Sequence, residues 1–412
     1  MKLTSALTIA LLMGASSAFA MEDLEKEVTA GFKSLSIQNL RYEDQDAFRY
    51  LTHLQETKQL DLLKSVMAAH TNVAQLKDFD REHLSYLKGA LPRKIGQALA
   101  PAWYEEFQRT LNAYQRFYAE KSKFEVEHRH YLSSLLPSNA YGRITVQEGF
   151  LPKFEDALKA CTLYYGQSAQ ISKFEVEHRH YLSSLLPSNA YGRITVQEGF
   201  LPKFEDALKA CTLYYGQSAQ ISKFEVEHRH YLSSLLPSNA YGRITVQEGF
   251  LPKFEDALKA CTLYYGQSAQ ISKFEVEHRH YLSSLLPSNA YGRITVQEGF
   301  LPKFEDALKA CTLYYGQSAQ ISGFDVDHRR YLNSLLPSNA YGRITVQEGF
   351  LTKFEEALAG YNLYYSAPVQ SLKSSDKIAL RKMLSSTDTQ FPAGWLKAFQ
   401  DRLDALKQSA AK

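Results

Sequence analysis

Glu125-x-x-His128 and Glu127-x-x-His130 place a carboxylate and an imidazole three residues apart. That spacing brings both groups to one side of a helix, the arrangement metal-binding helical bundles use for chelation. Diverged copies of the segment keep only the first pair, as Asp80/His83 and Asp325/His328, while His130 is replaced by Ser85 or Arg330. A chelate that needs His130 is therefore not shared by all copies. Zinc would also want three or four converging ligands, whereas stacked identical helices present theirs in a row. His128 shares a helix face with Phe124 and Tyr131, which favours a buried imidazole donating to a carboxylate or carbonyl over a metal ligand. An array of Glu-x-x-His metal sites stays as the secondary reading, and no metal or cofactor is expected.

Nucleophilic chemistry has less support. No G-x-S-x-G elbow, phosphate loop or dinucleotide fingerprint occurs, and each Ser, His or Cys within the copies recurs in several of them. Active sites are asymmetric single pockets, so no catalytic residue is assigned and the chain is read as non-enzymatic. Cys161, Cys211, Cys261 and Cys311 stand one to a copy, with Tyr361 and Tyr114 at the matching positions of diverged copies. A slot that accepts Cys or Tyr is an apolar packing slot. Helices pack at about 8–10 Å, too far for bridges between neighbouring copies that need Cα atoms within about 7 Å, so free buried thiols are expected.

What repeats is a 50-residue block: 123–172, 173–222, 223–272 and 273–322 are identical, and 323–372 differs mostly at its two ends. Such a period signals an array whose units bury apolar faces against their neighbours. Identity among the four blocks reports a recent duplication, so the diverged copies carry the information. Phe79 to Leu87 followed by Leu91-Pro92 aligns with Phe124 to Leu132 followed by Leu136-Pro137 and with Phe324 to Leu332 followed by Leu336-Pro337.

Phe124, His128, Tyr131, Leu132 and Leu135 fall on one face at the helical period, and Pro137 ends the run. A second helix is predicted from Phe150, Phe154 and Leu158, a spacing repeated as Trp103, Phe107, Leu111 and as Trp395, Phe399, Leu403. Seven second helices are expected, starting near Trp103, Phe150, Phe200, Phe250, Phe300, Phe350 and Trp395. Pro101, Pro152 and Pro392 suit helix starts, and Thr145-Val-Gln-Glu148 matches a capping box that would open a short turn ahead of Pro152. Gly166 suggests a break after the second helix; because 102–136 has no such glycine, one long bent helix per repeat stays as an alternative.

The fold class predicted is all-α: tandem helical hairpins of 50 residues stacked as an α-solenoid with capping helices. The plan is similar in kind to α-solenoid repeats such as the tetratricopeptide class, although the 50-residue period and the missing Trp-Leu-Gly-Tyr pattern keep the likeness architectural. The expected divisions are a signal peptide at 1–20, an N-terminal helical cap of one or two helices at 21–77, a degenerate repeat at 78–122, five blocks at 123–372 and a C-terminal cap at 373–412. The signal reading rests on Lys2, the apolar Leu7 to Met13 and Ala18-Phe19-Ala20. It implies an exported protein, periplasmic or secreted, with no transmembrane segment.

Between the helices, Pro137-Ser-Asn-Ala-Tyr-Gly142 is turn chemistry. Five copies of Asn-Ala-Tyr-Gly-Arg would display Asn139, Tyr141 and Arg143, then Tyr191 and Arg193, Tyr241 and Arg243, Tyr291 and Arg293, and Tyr341 and Arg343 along one edge. Two readings stand for each turn. The tyrosine is a contact residue of a multivalent surface, or it tucks back on its own hairpin while the arginine pairs with Glu148. Tyr131, Tyr164 and Tyr165 are expected in the core.

Each of the four identical blocks balances five basic against five acidic side chains, and the whole chain carries a formal charge of +3. An array that gained nucleic-acid affinity by repetition would gain positive charge with every copy, so nucleic acid is excluded as a partner class. Length and avidity scale with copy number. The function expected is a multivalent binding or scaffold module for a protein or cell-surface component in the bacterial envelope, with a passive spacer as the other alternative.

Overall fold

The structure, a computed structural model, describes residues 18–384 and 394–410. Most of the expected signal peptide, together with Pro392, lies outside them. It is a mostly helical repeat fold, with a unit of helix, strand pair and helix recurring about every 50 residues. Contacts divide the chain into two compact units, one holding the chain up to 168 with 183–205, the other 169–182 with the chain from 206 on.

All seven second helices begin at the aromatic residues that predict them: Trp103–Glu120, Phe150–Gly166, Phe200–Gly216, Phe250–Gly266, Phe300–Gly316, Phe350–Tyr364 and Trp395–Ala410. The first helix of each block is shorter, as in Val126–Leu135, and buries His128, Tyr131, Leu132 and Leu135 on the face that the apolar spacing defines. Within the second unit, the second helix Phe250–Gly266 packs on Phe300–Gly316, which packs on Phe350–Tyr364. Within the five blocks each second helix hides Phe254 or its equivalent completely, with small Ala257 and Ala260 letting the neighbours approach. The last block exchanges that alanine for Gly360, where a Cβ would come within 2.4 Å of the Trp395 indole. Pairs such as Lys209–Glu255 and Lys259–Glu305, both 2.6 Å, join neighbouring second helices at the surface, where such pairs add little.

Three local features differ from the sequence expectation. The segment read as a turn is a β-hairpin: Ser138–Ala140 pairs antiparallel with Arg143–Thr145, with Ala140 opposite Arg143, and the pattern recurs in each block. Thr145 is therefore strand, the capping box does not form, and the second helix starts instead from Gly149 at φ 63° with no side-chain cap. The continuous bent helix is also absent. Trp103–Glu120 passes through a 3₁₀ turn at Lys121–Lys123 into extended Phe124 and Glu125. No glycine is needed there because the docking of the phenylalanine turns the chain: Phe124 is buried, and the equivalent Phe174 stacks on Tyr215 at 5.0 Å.

Ahead of the repeats, four helices occur rather than one or two: Ala18–Phe32, Leu35–Glu43, Gln45–Glu56 and Leu60–Ala74. Asp44 separates the second from the third by accepting from the Ala47 N–H at 3.1 Å, and Lys58 turns the chain at φ 55°. Val28, Leu40, Leu51, Leu54, Leu63 and Val66 form their core, against which Trp103 rests.

Candidate functional site

The hairpin loop is Tyr141-Gly142, both residues at positive φ, 51° and 86°. A two-residue loop with two left-handed residues is the type I′ turn, which matches strand twist and prefers Asn-Gly. Tyrosine there carries a Cβ penalty of about 1–2 kcal/mol. Nothing in the hairpin repays that strain: Tyr141 is 101% exposed and Tyr241, Tyr291 and Tyr341 each 108%. The ring does not tuck back. Arg143 is exposed in its strand, and among the described residues no ion pair joins it to Glu148.

Beside each tyrosine stand further exposed apolar side chains, Ile144 and Val146 in the first block and Ile244 and Val246 in the third. Asn139 is half-buried in the partner strand, its side-chain oxygen buried without a hydrogen bond. Isoleucine and valine were not singled out by sequence reasoning. The alternation of Ile144 and Val146 in and just after a three-residue strand was the available signal, too short to register.

The hairpin is positioned by the preceding block. Helix Val226–Leu235 packs on strand Ser288–Ala290, leaving a groove of about 740 Å³ between Glu225, Glu227, His230 and Ser234 on the helix and Asn289 and Tyr291 on the hairpin. The next groove, about 590 Å³, has the same build, with Glu277, His280 and Ser284 facing Asn339 and Tyr341. His230 and His280, the second imidazoles of the Glu-x-x-His pattern, thus line grooves rather than core.

The first imidazoles lie inside. His128 is 2% exposed, and its Nδ1 lies 2.9 Å from the Pro187 carbonyl of the following block. A carbonyl only accepts, so Nδ1 carries the proton and Nε2 presents a lone pair. His178, His228 and His278 repeat the bond to Pro237, Pro287 and Pro337, each at 2.8 Å. The same carbonyl is served differently near the start of the array, where His70 faces Pro92 at 3.3 Å and the Tyr114 hydroxyl donates to Pro137. Tyr114 occupies the Cys161 slot, and His83, displaced from that role, meets the Tyr118 hydroxyl at 2.8 Å. In the last block, His328 likewise meets the Tyr365 hydroxyl at 2.9 Å.

The entry to the first helix in the three blocks that follow the first is held by a row of tyrosines. The Tyr215 hydroxyl accepts from the Glu175 N–H at 3.0 Å, and Tyr265 and Tyr315 do so for Glu225 and Glu275. Tyr131 is buried in the core as expected, while Tyr164 and Tyr165 are half-buried. All four cysteines are free and buried, and burial pushes the Cys161 thiol up to about 12. Burial holds His70, His83 and His328 below the usual imidazole range.

Among the described residues, no helix is long and apolar enough to cross a membrane. Comparison with protein-family models, curated proteins and solved structures finds no match for this chain.

Proposed function

We propose that this chain is an exported multivalent binding or scaffold module of the cell envelope or surface, engaging its partner through the hairpin edge. The observation that carries the reading is the fully exposed tyrosine in a strained left-handed turn, with Ile and Val exposed beside it. Strain without an internal return is the mark of a residue kept for contact, and aromatic rings dominate contact energies at interfaces. The second unit carries the feature on three hairpins, at Tyr241, Tyr291 and Tyr341, so a partner that is itself repetitive gains avidity with each hairpin engaged. Ordinary helix packing puts successive hairpins about 10 Å apart. The strands are three residues long, short enough to limit edge-to-edge pairing while displaying the turn.

Export rests on Lys2, the apolar Leu7 to Met13 and Ala18-Phe19-Ala20. A binding role is favoured over catalysis because identical grooves recur along the array, whereas a reaction needs one asymmetric pocket.

The test changes Tyr141, Tyr191, Tyr241, Tyr291 and Tyr341 together to Asn, the residue that type I′ turns prefer. The fold should survive and retention on envelope preparations should fall to background. Unchanged retention would remove the hairpin edge from the account.

A further inference from the structure

In two of the internal blocks, the buried imidazole has one nitrogen with nothing to bond. Nδ1–H of His128 is committed to Pro187 and that of His228 to Pro287, and Nε2 of each is buried without a hydrogen-bond partner. Both side chains are at least nine-tenths buried. Each lone pair faces carboxylates: Nε2 of His128 is 4.0 Å from Glu127 Oε1, and Nε2 of His228 is 4.0 Å from Glu225 Oε2. One ligand atom from each of Glu125, Glu127 and His128 lies within 4.8 Å of the others, and the same holds for Glu225, Glu227 and His228.

Two carboxylates and a lone pair converging on one point lack only a cation. The outer copies supply it from the chain: Lys121 sits 3.7 Å from Asp80, and Arg381 sits 2.6 Å from Asp325. Among the described residues, no lysine or arginine comes within 4.0 Å of the glutamates in either internal cluster. The helix dipole explains acids at a helix start without an ion. It offers nothing to Nε2.

We propose that His128 with Glu125 and Glu127, and His228 with Glu225 and Glu227, each bind a divalent transition-metal cation of the zinc class. Imidazole nitrogen with carboxylate oxygen suits such borderline ions, and three protein donors leave the remaining position to water. A ligating imidazole whose other N–H is held by a carbonyl is the usual supporting arrangement. Here that carbonyl belongs to the following block, so the ion reinforces the joint between neighbours.

The fourth block is the internal control. Its His278 has the same Nδ1 bond to Pro337, but Nε2 lies 3.2 Å from the side-chain oxygen of Asn333, where the other blocks have serine. Rotating that amide by half a turn brings its NH₂ to the same place, where it would donate to the Nε2 lone pair and close the site.

The experiment measures Zn²⁺ binding to the chelator-treated full chain by calorimetry, with Co²⁺ absorption as a readout of coordination. Expected are saturable micromolar binding, loss of one site with an affinity change of about tenfold or more when Glu225→Gln and Glu227→Gln are combined, and one additional site in Asn333→Ser. The glutamine changes lie at the solvent side and spare the fold, unlike His228→Ala, which also orphans the Pro287 carbonyl. Absence of saturable binding, or a stoichiometry indifferent to both the glutamine and the serine variants, would overturn the proposal.

Discussion

Nδ1–H of His178 donates to the carbonyl of Pro237 at 2.8 Å, across 59 residues of sequence. The donor lies in the first helix of one block and the acceptor in the Leu-Pro stop of the next. One bond thus ties helix, helix end and neighbouring block together, away from water. Replacing His178 with Phe keeps an aromatic ring in the slot and leaves the Pro237 oxygen unsatisfied, which costs roughly 1–3 kcal/mol. Urea unfolding should show that loss, and a change within error would mean that water already serves the carbonyl.

The hairpin tyrosines should behave in the opposite way. Tyr241→Asn places at φ 53° a residue whose short polar side chain is at ease in the left-handed region, and should leave the fold as stable or raise it by about 1 kcal/mol. Thermal unfolding decides this. A marked destabilisation would show that the ring has a structural task after all.

Cys211 is buried, and burial pushes its thiol up to about 12, so little thiolate forms at pH 8 and no path leads to it. Maleimide labelling of the native chain should be slow at all four cysteines and become fast in denaturant. Rapid native labelling of any of them would contradict the packing of the second helices.

Acid sensitivity should come from the buried outer histidines. Burial lowers His70, His83 and His328 below the ordinary imidazole value of about 6.5, so between that value and the depressed native ones the unfolded chain binds more protons. Their contribution is complete above pH 6.5 and declines as the pH falls below it. Melting temperature should therefore drop on going from pH 7.5 to 5, and His70→Gln should flatten part of that slope.

Gly360 predicts a steric test at the far end of the array. A methyl group there meets the Trp395 ring at 2.4 and 2.9 Å, so Gly360→Ala should cost about 1–3 kcal/mol through overpacking, whereas the equivalent position 160 carries alanine natively. Equal stability would show that the Trp395 helix shifts freely.

Helix placement was legible because aromatic residues mark it: Phe150 and its equivalents sit at both the helix start and the packed face. The hairpin was not, because its loop carries Tyr141 where Asn would have announced a type I′ turn, and because strands of three residues give no alternation to read. The breaks at Phe124 and Asp44 depend on side-chain docking and a cap, with no glycine or proline to signal them. At the candidate site, Tyr141 and Arg143 could be named from the turn, but the exposure of Ile144 and Val146 follows only from which hairpin face meets the preceding helix. The role of His128 depended on an acceptor 59 residues away, beyond the reach of any local pattern.

The central claim, binding through repeated hairpins, is tested most directly by copy number. Chains carrying one, three or five blocks between the same flanking segments would be compared for retention on immobilised cell-envelope material and on external surfaces. The account predicts retention rising steeply with the number of blocks and collapsing in each chain when the hairpin tyrosines become Asn. Retention that is the same for one block as for five would contradict it, making the blocks a spacer and placing recognition in the flanking segments.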